Sequence, residues 1–429
     1  MLKPHIVILG AGFGGVYTAK NLIPQVKKGA IDLTIINRTN YFLFTPLLHE
    51  VATGSLGPSS VAEPLREIFA GTGISIIEGD VENIDMPTKV VKVSGHEIEY
   101  DYLIVATGAE TNYYGIPGAD RFTMPLKSLA DAAAIRSRVI DAFEQAMFSA
   151  DQTERARLLS FVVIGGGPTG VETVAELEEF VCGMARRYYG HIEFGQGKKI
   201  EDDISVTLVH TGLEILPQFM PKLRAAATEH LRRKKIKLLF GKTVTAVSPK
   251  SLAFADSTTI PAGVVVWAAG VKPIIPRFSN SSGAAPILAG GRLVVDAHFR
   301  LSSDERIFVL GDAAGYTPPA PFLAQIATAQ AKVVAGNVMA SIRQKPLKPF
   351  AFALKGSMVS IGQRFAIGQF TPPILHRFGA GQFALSGFIA WWMWRTVYLF
   401  KFASWKKRLR IMADWTFELF WPRDITRLS

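Results

Sequence analysis

The sequence predicts an α/β chain that repeats one strand–turn–helix device and then runs into a basic, aromatic helical tail. Two observations carry this. Residues 6–9 (IVIL) enter Gly10-Ala-Gly12-Phe-Gly-Gly15, and residues 161–164 (FVVI) enter Gly165-Gly-Gly167-Pro-Thr-Gly170, an offset of 155 residues. Six of the seven tryptophans (Trp391, Trp392, Trp394, Trp405, Trp415 and Trp421) fall in the last 39 residues.

Each copy is a short apolar run, a G-x-G-x-x-G turn and a helix-compatible segment, VYTAKNL or VETVAEL. The first glycine of such a turn makes the tight bend, the second lets backbone approach a pyrophosphate, and the third lets helix and strand pack closely. The diphosphate then rests on free N–H groups at the positive end of the helix. Gly10, Gly12 and Gly15 thus form one candidate nucleotide site, and Gly165, Gly167, Thr169 and Gly170 a second. A further pair of echoes, Leu103-Ile-Val-Ala-Thr-Gly108 and Val265-Val-Trp-Ala-Ala-Gly270, adds Thr107 and Gly108 to the first and Gly270 to the second. Duplicated units at this spacing imply two Rossmann-like dinucleotide-binding domains.

An acid usually ends the second strand of such a unit and holds the adenosine ribose. Here the first unit's strand ends in Asn37, followed by Arg38, and the second unit's in His210. An Asn amide still bonds a ribose hydroxyl. At His210 no carboxylate repels a 2′-phosphate, so NADPH stays open beside NADH; a histidine that merely caps the strand end is the plainer alternative. The strand Arg306-Ile-Phe-Val-Leu then runs into Gly311-Asp312. Expected boundaries are 1–118 for the first part of one dinucleotide-binding domain, 119–285 for the inserted second one, 286–375 for the rest of the first and 376–429 for a C-terminal region.

Composition narrows the chemistry. With 429 residues, 48% hydrophobic and 19% charged, the chain supports more than one core and is not a disordered scaffold. A lone cysteine, Cys182, excludes a disulfide framework and a redox cysteine pair, and with no H-E-x-x-H among eight histidines no metal site is expected. The amino terminus leads straight into the first glycine motif rather than reading as a signal peptide, so a reducing, cytosol-facing protein is expected.

The net charge of +11 implies attraction to polyanions. No nucleic-acid-binding signature is present and Arg232-Arg-Lys-Lys235 reads as an ordinary helix end, so no nucleic-acid partner is expected. In the tail, residues 384–400 form an apolar run broken by Arg395, at the short limit for a spanning helix. Over 405–420, Trp405, Leu409, Met412, Trp415 and Leu419 recur on one helical face, with Lys407, Arg410, Asp414 and Glu418 opposite. That pattern suits a helix lying in an anionic membrane surface, with the same helix packed on its own domain or in a homodimer interface as the alternative. The segment 182–203 carries no functional reading.

On these residues the chain resembles the two-dinucleotide-binding flavoproteins of glutathione-reductase-like fold, and within them the type II (non-proton-pumping) NADH:quinone oxidoreductases. The resemblance covers nearly the whole chain. It rests on the glycine motifs, on the loop from Tyr41 to Leu56 with Thr53, on Gly311-Asp312, on Ala324-Gln325-Ile326-Ala327, on Lys355-Gly356-Ser357 and on Trp421-Pro-Arg-Asp424. It implies FAD held through Asn37, Arg38, Thr53, Asp312 and Lys355 besides the first glycines, NADH or NADPH at the second turn, and a membrane quinone, ubiquinone or menaquinone, as acceptor. It implies Glu172 as a proton-relay or positioning carboxylate; without the resemblance that residue reads as an acid in the first helical turn facing the dipole. It implies Gln325 beside the quinone; the family's second glutamine is displaced here to Gln330, expected to point about 100° away. The implied location is the cytoplasmic face of the inner membrane, peripheral or monotopic. A soluble ferredoxin or rubredoxin reductase, or a slow redox-sensing flavoprotein of the apoptosis-inducing-factor type, would share the fold.

Overall fold

The computed structural model describes residues 3–194, 197–279, 288–317, 321–352, 356–371, 383–402 and 404–427. The elements that matter here are β1 (His5–Leu9), α1 (Phe13–Lys27), β2 (Asp32–Asn37), α2 (Leu48–Ala52), β3 (Ser75–Glu78), β4 (Tyr102–Val105), α3 (Leu129–Met147), β5 (Ser160–Ile164) and α4 (Pro168–Met184). They continue with β6 (Ser205–His210), β7 (Lys237–Phe240), β8 (Val264–Trp267), β9 (Asp304–Val309), α5 (Ala324–Ile342), β10 (Gly356–Ser360), β11 (Ala366–Phe370), β12 (Phe383–Gly387), α6 (Phe388–Lys401) and α7 (Trp405–Phe417). The chain divides into two compact units: Met1–Leu43, Ala62–Glu110 and Val271–Ala353 form unit 1, and Phe44–Val61, Thr111–Gly270 and Leu354–Ser429 form unit 2.

Unit 1 is built on a sheet in the order Arg300–Leu301, β9, β4, β1, β2, β3, parallel except at the Arg300–Leu301 edge. A parallel sheet covered on both faces needs strands that are apolar throughout. Ile6 to Leu9, Leu103 to Val105 and Ile307 to Val309 meet that need and are fully buried. The register Ile6↔Leu33 to Leu9↔Ile36 brings the end of β1 beside the end of β2, where the first glycine turn begins.

Unit 2 repeats the arrangement. Its five-stranded sheet runs Met124–Pro125, β8, β5, β6, β7, all parallel. Helix α3 opens with a capping box, in which the Asp131 N–H donates to Ser128 Oγ (3.1 Å) and the Ser128 N–H donates to Asp131 Oδ2 (2.8 Å). The antiparallel sheet β10–β11–β12 and the tail helices also belong to unit 2, as does the segment Phe44–Val61.

The described part of the 182–203 segment packs on its own unit. It forms a π-helical turn (Ala185–Tyr189) whose Tyr189 hydroxyl donates to Glu144 on α3 (2.7 Å), and it places Asp203 2.9 Å from buried Arg155. The apolar run 384–400 is two elements, not one. Gly387, at φ +89°, ends β12 and lets α6 begin. At 14 residues α6 is about 21 Å long, and no described helix is long and apolar enough to cross a membrane.

Candidate functional site

The two glycine turns are the same object built twice. The Gly10 N–H donates to Ile36 O and the Gly165 N–H to Val209 O, both at 2.8 Å. Both first glycines have positive φ (+94° and +121°), and a Cβ on either would sit about 2.5 Å from a carbonyl, Ala106 O (2.5 Å) or Ala268 O (2.4 Å). Those alanines are the matching members of the two strand-end echoes. A Cβ at Gly15 or Gly170 would lie 1.8 Å from Gly10 O or Gly165 O, so the third glycines let helix and strand touch. At the second glycines the situation reverses: a Cβ at Gly12 or Gly167 would meet nothing within 4 Å. The N-terminus of each helix therefore opens, at the position that faces a pyrophosphate, on space the protein itself does not fill. The cradles fit a dinucleotide each.

The ends of the second strands both brace their glycine turns. Asn37 Oδ1 accepts the Ala11 N–H (2.8 Å) while its amide donates to Thr39 O (2.8 Å). His210 Nδ1 accepts the Gly166 N–H at 3.2 Å. Ala11 and Gly166 occupy the same place in the two turns, so both strand ends use a neutral acceptor to pin the loop. His210 is wedged between Gly166 and Gly212, where a Cβ would approach its ring to 2.6 and 2.7 Å, and burial lowers its pKa. The imidazole thus braces the second glycine turn from the end of β6.

Within unit 1, Thr107 donates to Ile274 O (2.6 Å), Gly108 has positive φ, and Arg38 pairs with Asp80 (3.0 Å) in an exposed position. Gly311, also at positive φ, starts a short 3₁₀ turn with Asp312. The residue expected to point away, Gln330, is buried and its Oε1 accepts the Gly311 N–H at 2.7 Å, so it sets the Gly-Asp corner. Gln325 stands half-buried in the first turn of α5. Lys355 lies outside the described residues.

In unit 2, Thr169 is exposed at the start of α4, and Gly270 (φ +153°) has the Tyr114 hydroxyl 2.1 Å from where a Cβ would be. Thr53 back-bonds to His49 O (2.9 Å) at the end of α2. Glu172 is buried and, because α4 starts at Pro168, sits in the second turn rather than the first. The dipole-facing reading therefore drops out. Its Oε1 accepts the Ser360 N–H (3.2 Å), and Oε2 lies 4.0 Å from His49 Nδ1. Burial raises the Glu172 pKa well above the carboxylate range. Burial also drives His49 down to about 3, so the pair is a neutral acid beside a neutral imidazole. Cys182 is a free thiol pushed up to about 12, chiefly by burial, and takes no part as a thiolate.

The tail helices show which face is inward. Trp394 and Trp415 are buried (0% and 5% exposed) whereas Trp392, Trp405 and Trp421 are 61%, 65% and 60% exposed. Trp415, placed on the membrane face by periodicity, instead donates its indole N–H to Glu50 Oε2 at 2.7 Å. Asp414 and Glu418, placed on the solvent face, turn inward: Ser60 donates to Asp414 (2.6 Å), and Glu418 takes Arg395 (3.2 Å) and Arg423 (2.9 Å). Lys407 reaches Ser59 O. Arg395, which interrupts the apolar run, is buried against the Trp391 and Trp415 rings (4.1 and 4.8 Å). What α6 and α7 leave outside is largely apolar: Phe388, Ile389, Trp392, Phe400, Trp405 and Leu409. The Trp-Pro-Arg-Asp stretch is a clasp, Arg423 entering the acidic cluster and Asp424 meeting buried Arg136 at 2.6 Å. Sequence reasoning missed Glu50, Glu176 and Glu418, which lie far apart in the chain and carry no local motif.

Comparisons with known proteins agree with this geometry. The pyridine nucleotide-disulphide oxidoreductase family model matches residues 4–331, which defines the class: a two-dinucleotide oxidoreductase. A model described as the NDH2 C-terminal domain matches residues 354–424. The chain is 31% identical to the type II NADH:quinone oxidoreductase Ndh of Mycobacterium tuberculosis, covering 96% of this chain and 88% of that protein. It is also 31% identical to the mitochondrial internal alternative NAD(P)H-ubiquinone oxidoreductase A1 of Arabidopsis thaliana (99% and 86%). The structure of NDH2 from Plasmodium falciparum in complex with NADH shares the fold, with TM-score 0.86, 22% identity and coverage of 99% and 100%. The chain belongs to the type II NADH:quinone oxidoreductase family.

Proposed function

We infer that the chain oxidises NADH at the second glycine turn and reduces a membrane quinone through FAD held at the first, without moving protons across a membrane. The observation that carries this is the pair of matched turns, each with an open second glycine, in a chain whose single thiol is half-buried and held protonated. Bound FAD supplies the two-electron relay between a water-soluble donor and the quinone.

The protein's own part is alignment and proton supply. Open N–H groups at the starts of α1 and α4 hold the two pyrophosphates. Glu172 keeps its Oε1 on the Ser360 N–H, which leaves Oε2 to carry the proton that the quinone takes up. Because His210 is neutral and tied to the loop, it neither attracts nor repels a 2′-phosphate; NADH is the preferred donor on family grounds and NADPH is tolerated. The outward aromatic face of α6 and α7 seats the enzyme on an anionic leaflet, at the cytoplasmic face of the inner membrane, where quinone enters from lipid and NADH from water.

The test is stopped-flow mixing of wild-type and Glu172→Gln enzyme. Reduction by NADH should change little, whereas reoxidation by a short-chain quinone should slow by roughly 10²-fold, the range for losing a positioned acid. Unchanged reoxidation removes Glu172 from the mechanism.

A further inference from the structure

A buried carboxylate is stable only when paired with a cation or protonated. Around Glu172, unit 2 gathers more carboxylates than cations. Glu50 on α2, Glu172 and Glu176 on α4, and Glu418 beyond α7 are all buried. Among the described residues their ion-pairing guanidiniums are Arg395 and Arg423. Arg423 Nη2 stands 2.6 Å from Glu176 Oε2 and 2.9 Å from Glu418 Oε1, and Arg395 Nη2 stands 3.2 Å from Glu418 Oε2. At the rim, Glu179 shares Arg423 (3.1 Å) with the cluster and shares Lys234 (2.6 Å) with Glu178 (2.9 Å), so it adds no spare cation.

Four carboxylates against two guanidiniums cannot all ionise in a buried site, so the cluster retains protons. Glu418 spends both oxygens on arginines, whose charge keeps it ionised against its burial. Among the described residues Glu50 receives the Trp415 indole N–H and no ion pair, and burial raises its pKa; Glu176 is raised the same way despite Arg423. The other groups that face Glu172 are inert. His49 is neutral, and the Tyr398 phenol is held protonated by burial.

The cluster also has a way to water. A cavity of about 400 Å³ is lined by Glu178, Glu179, Lys234, Gln363, Glu418 and Arg423. A second, of about 340 Å³, brings Ser55 to the same Glu418 and Arg423. Ser55 Oγ lies 2.7 Å from Glu418 Oε1 and 3.4 Å from Glu176 Oε2. Glu176 follows Glu172 by one helical turn, on the same face of α4.

We propose that Glu50 and Glu176, gathered with Glu418 beside Glu172, form an internal proton reserve that reloads the Glu172 carboxyl between turnovers. The proposal rests on the reading of Glu172 as the proton donor to quinone. In each turnover NADH supplies two electrons and one proton, and the second quinol proton leaves Glu172 as its O–H bond breaks and a quinol O–H forms. The Glu172 carboxylate then takes a proton from Glu50 or Glu176, and that group recovers one from water at the cavities. The sum is NADH + quinone + H⁺ → NAD⁺ + quinol. Glu50 and Glu176 are proton-storing residues that act through Glu172.

The experiment compares one turnover with many in the full-length, FAD-loaded protein, using menadione as the quinone. A Gln at position 50 keeps the acceptor for Trp415 and lacks the exchangeable proton. Glu50→Gln should reoxidise within about twofold of wild type in a single turnover, because Glu172 starts loaded. Its steady-state rate should fall roughly tenfold or more, with a larger solvent deuterium isotope effect and partial rescue by added formate. Glu176→Gln should behave alike. Full steady-state turnover in both variants, with Glu172→Gln slow in a single turnover, overturns the reserve and spares the donor. Normal single-turnover reoxidation in Glu172→Gln overturns the donor itself. Infrared spectra of the wild-type protein give a check that needs no variant: at neutral pH at least two protonated-carboxyl C=O bands should shift in D₂O, and one or none contradicts the reserve.

Discussion

The matched turns make a sharp prediction, because neighbouring glycines of one motif should fail for different reasons. In Gly170→Ala the new methyl lies 1.8 Å from Gly165 O and 2.9 Å from Gly165 C, both backbone atoms that no rotamer relieves. Relief needs a shift of more than an ångström between α4 and β5, beyond the usual 1–3 kcal/mol of core overpacking. A loss of about 3 kcal/mol or more corresponds to a drop of roughly 6 °C or more in the unfolding of a unit this size. In Gly167→Ala the methyl meets nothing within 4 Å, and the backbone (φ −77°, ψ −178°) is one alanine adopts freely. Its own cost is the weaker helix N-cap, about 1 kcal/mol or less. What it does obstruct is the approach of a pyrophosphate. NADH affinity should fall roughly 10- to 100-fold, which is about 1.4 to 2.8 kcal/mol. Thermal unfolding without nucleotide, paired with the NADH dependence of flavin reduction, separates the two. Gly167→Ala with wild-type NADH affinity would show that the turn does not hold the nucleotide. Gly170→Ala with wild-type stability would refute the steric account of the third glycine.

Other expectations follow from single contacts. His210→Glu keeps an acceptor for the Gly166 N–H and adds a charge, so the ratio of NADPH to NADH kcat/KM should drop several-fold; an unchanged ratio places ribose recognition elsewhere. Trp415→Phe strips Glu50 of its hydrogen bond in a buried site and should destabilise the fold by about 1–3 kcal/mol, measured by denaturant unfolding, with Trp405→Phe at the exposed face as a near-neutral control. Replacing Trp392, Phe400 and Trp405 together with serine should move the protein off anionic vesicles in a sedimentation assay while leaving its unfolding midpoint nearly unchanged. As pH falls from the imidazole's usual 6.5 to about 3, His49 should draw stability out of the fold, because the unfolded chain binds a proton that the native state refuses; acid unfolding should be shallower in His49→Gln, and an identical profile would be the contrary result.

Much of the fold is readable from residue order because the decisive interactions there are local. The turn glycines, the apolar runs of β1 and β5 and the strand-end alanines lie within a few residues of what they contact or repeat at one offset, and the structure places them alike in both units. The direction of a side chain is another matter. Periodicity over 405–420 marks a two-faced helix but not which face turns inward, and the answer was set by Glu50, Ser55 and Ser60, more than three hundred residues earlier. Gln330 shows a related limit: an ideal 100° step says where its Cα sits, but not that its long side chain takes the N–H of Gly311. The acidic cluster leaves no local trace, since Glu50, Glu176 and Glu418 each read as ordinary glutamates until the chain folds.

The most direct measurement is the visible spectrum of the purified protein through one catalytic cycle in detergent. A flavin absorbance should be present, bleach on adding NADH under anaerobic conditions and return on adding a short-chain quinone, with one NADH consumed per quinone reduced. A protein that stays colourless after incubation with FAD, or one that bleaches and is not recoloured by quinone, would contradict the account at its centre.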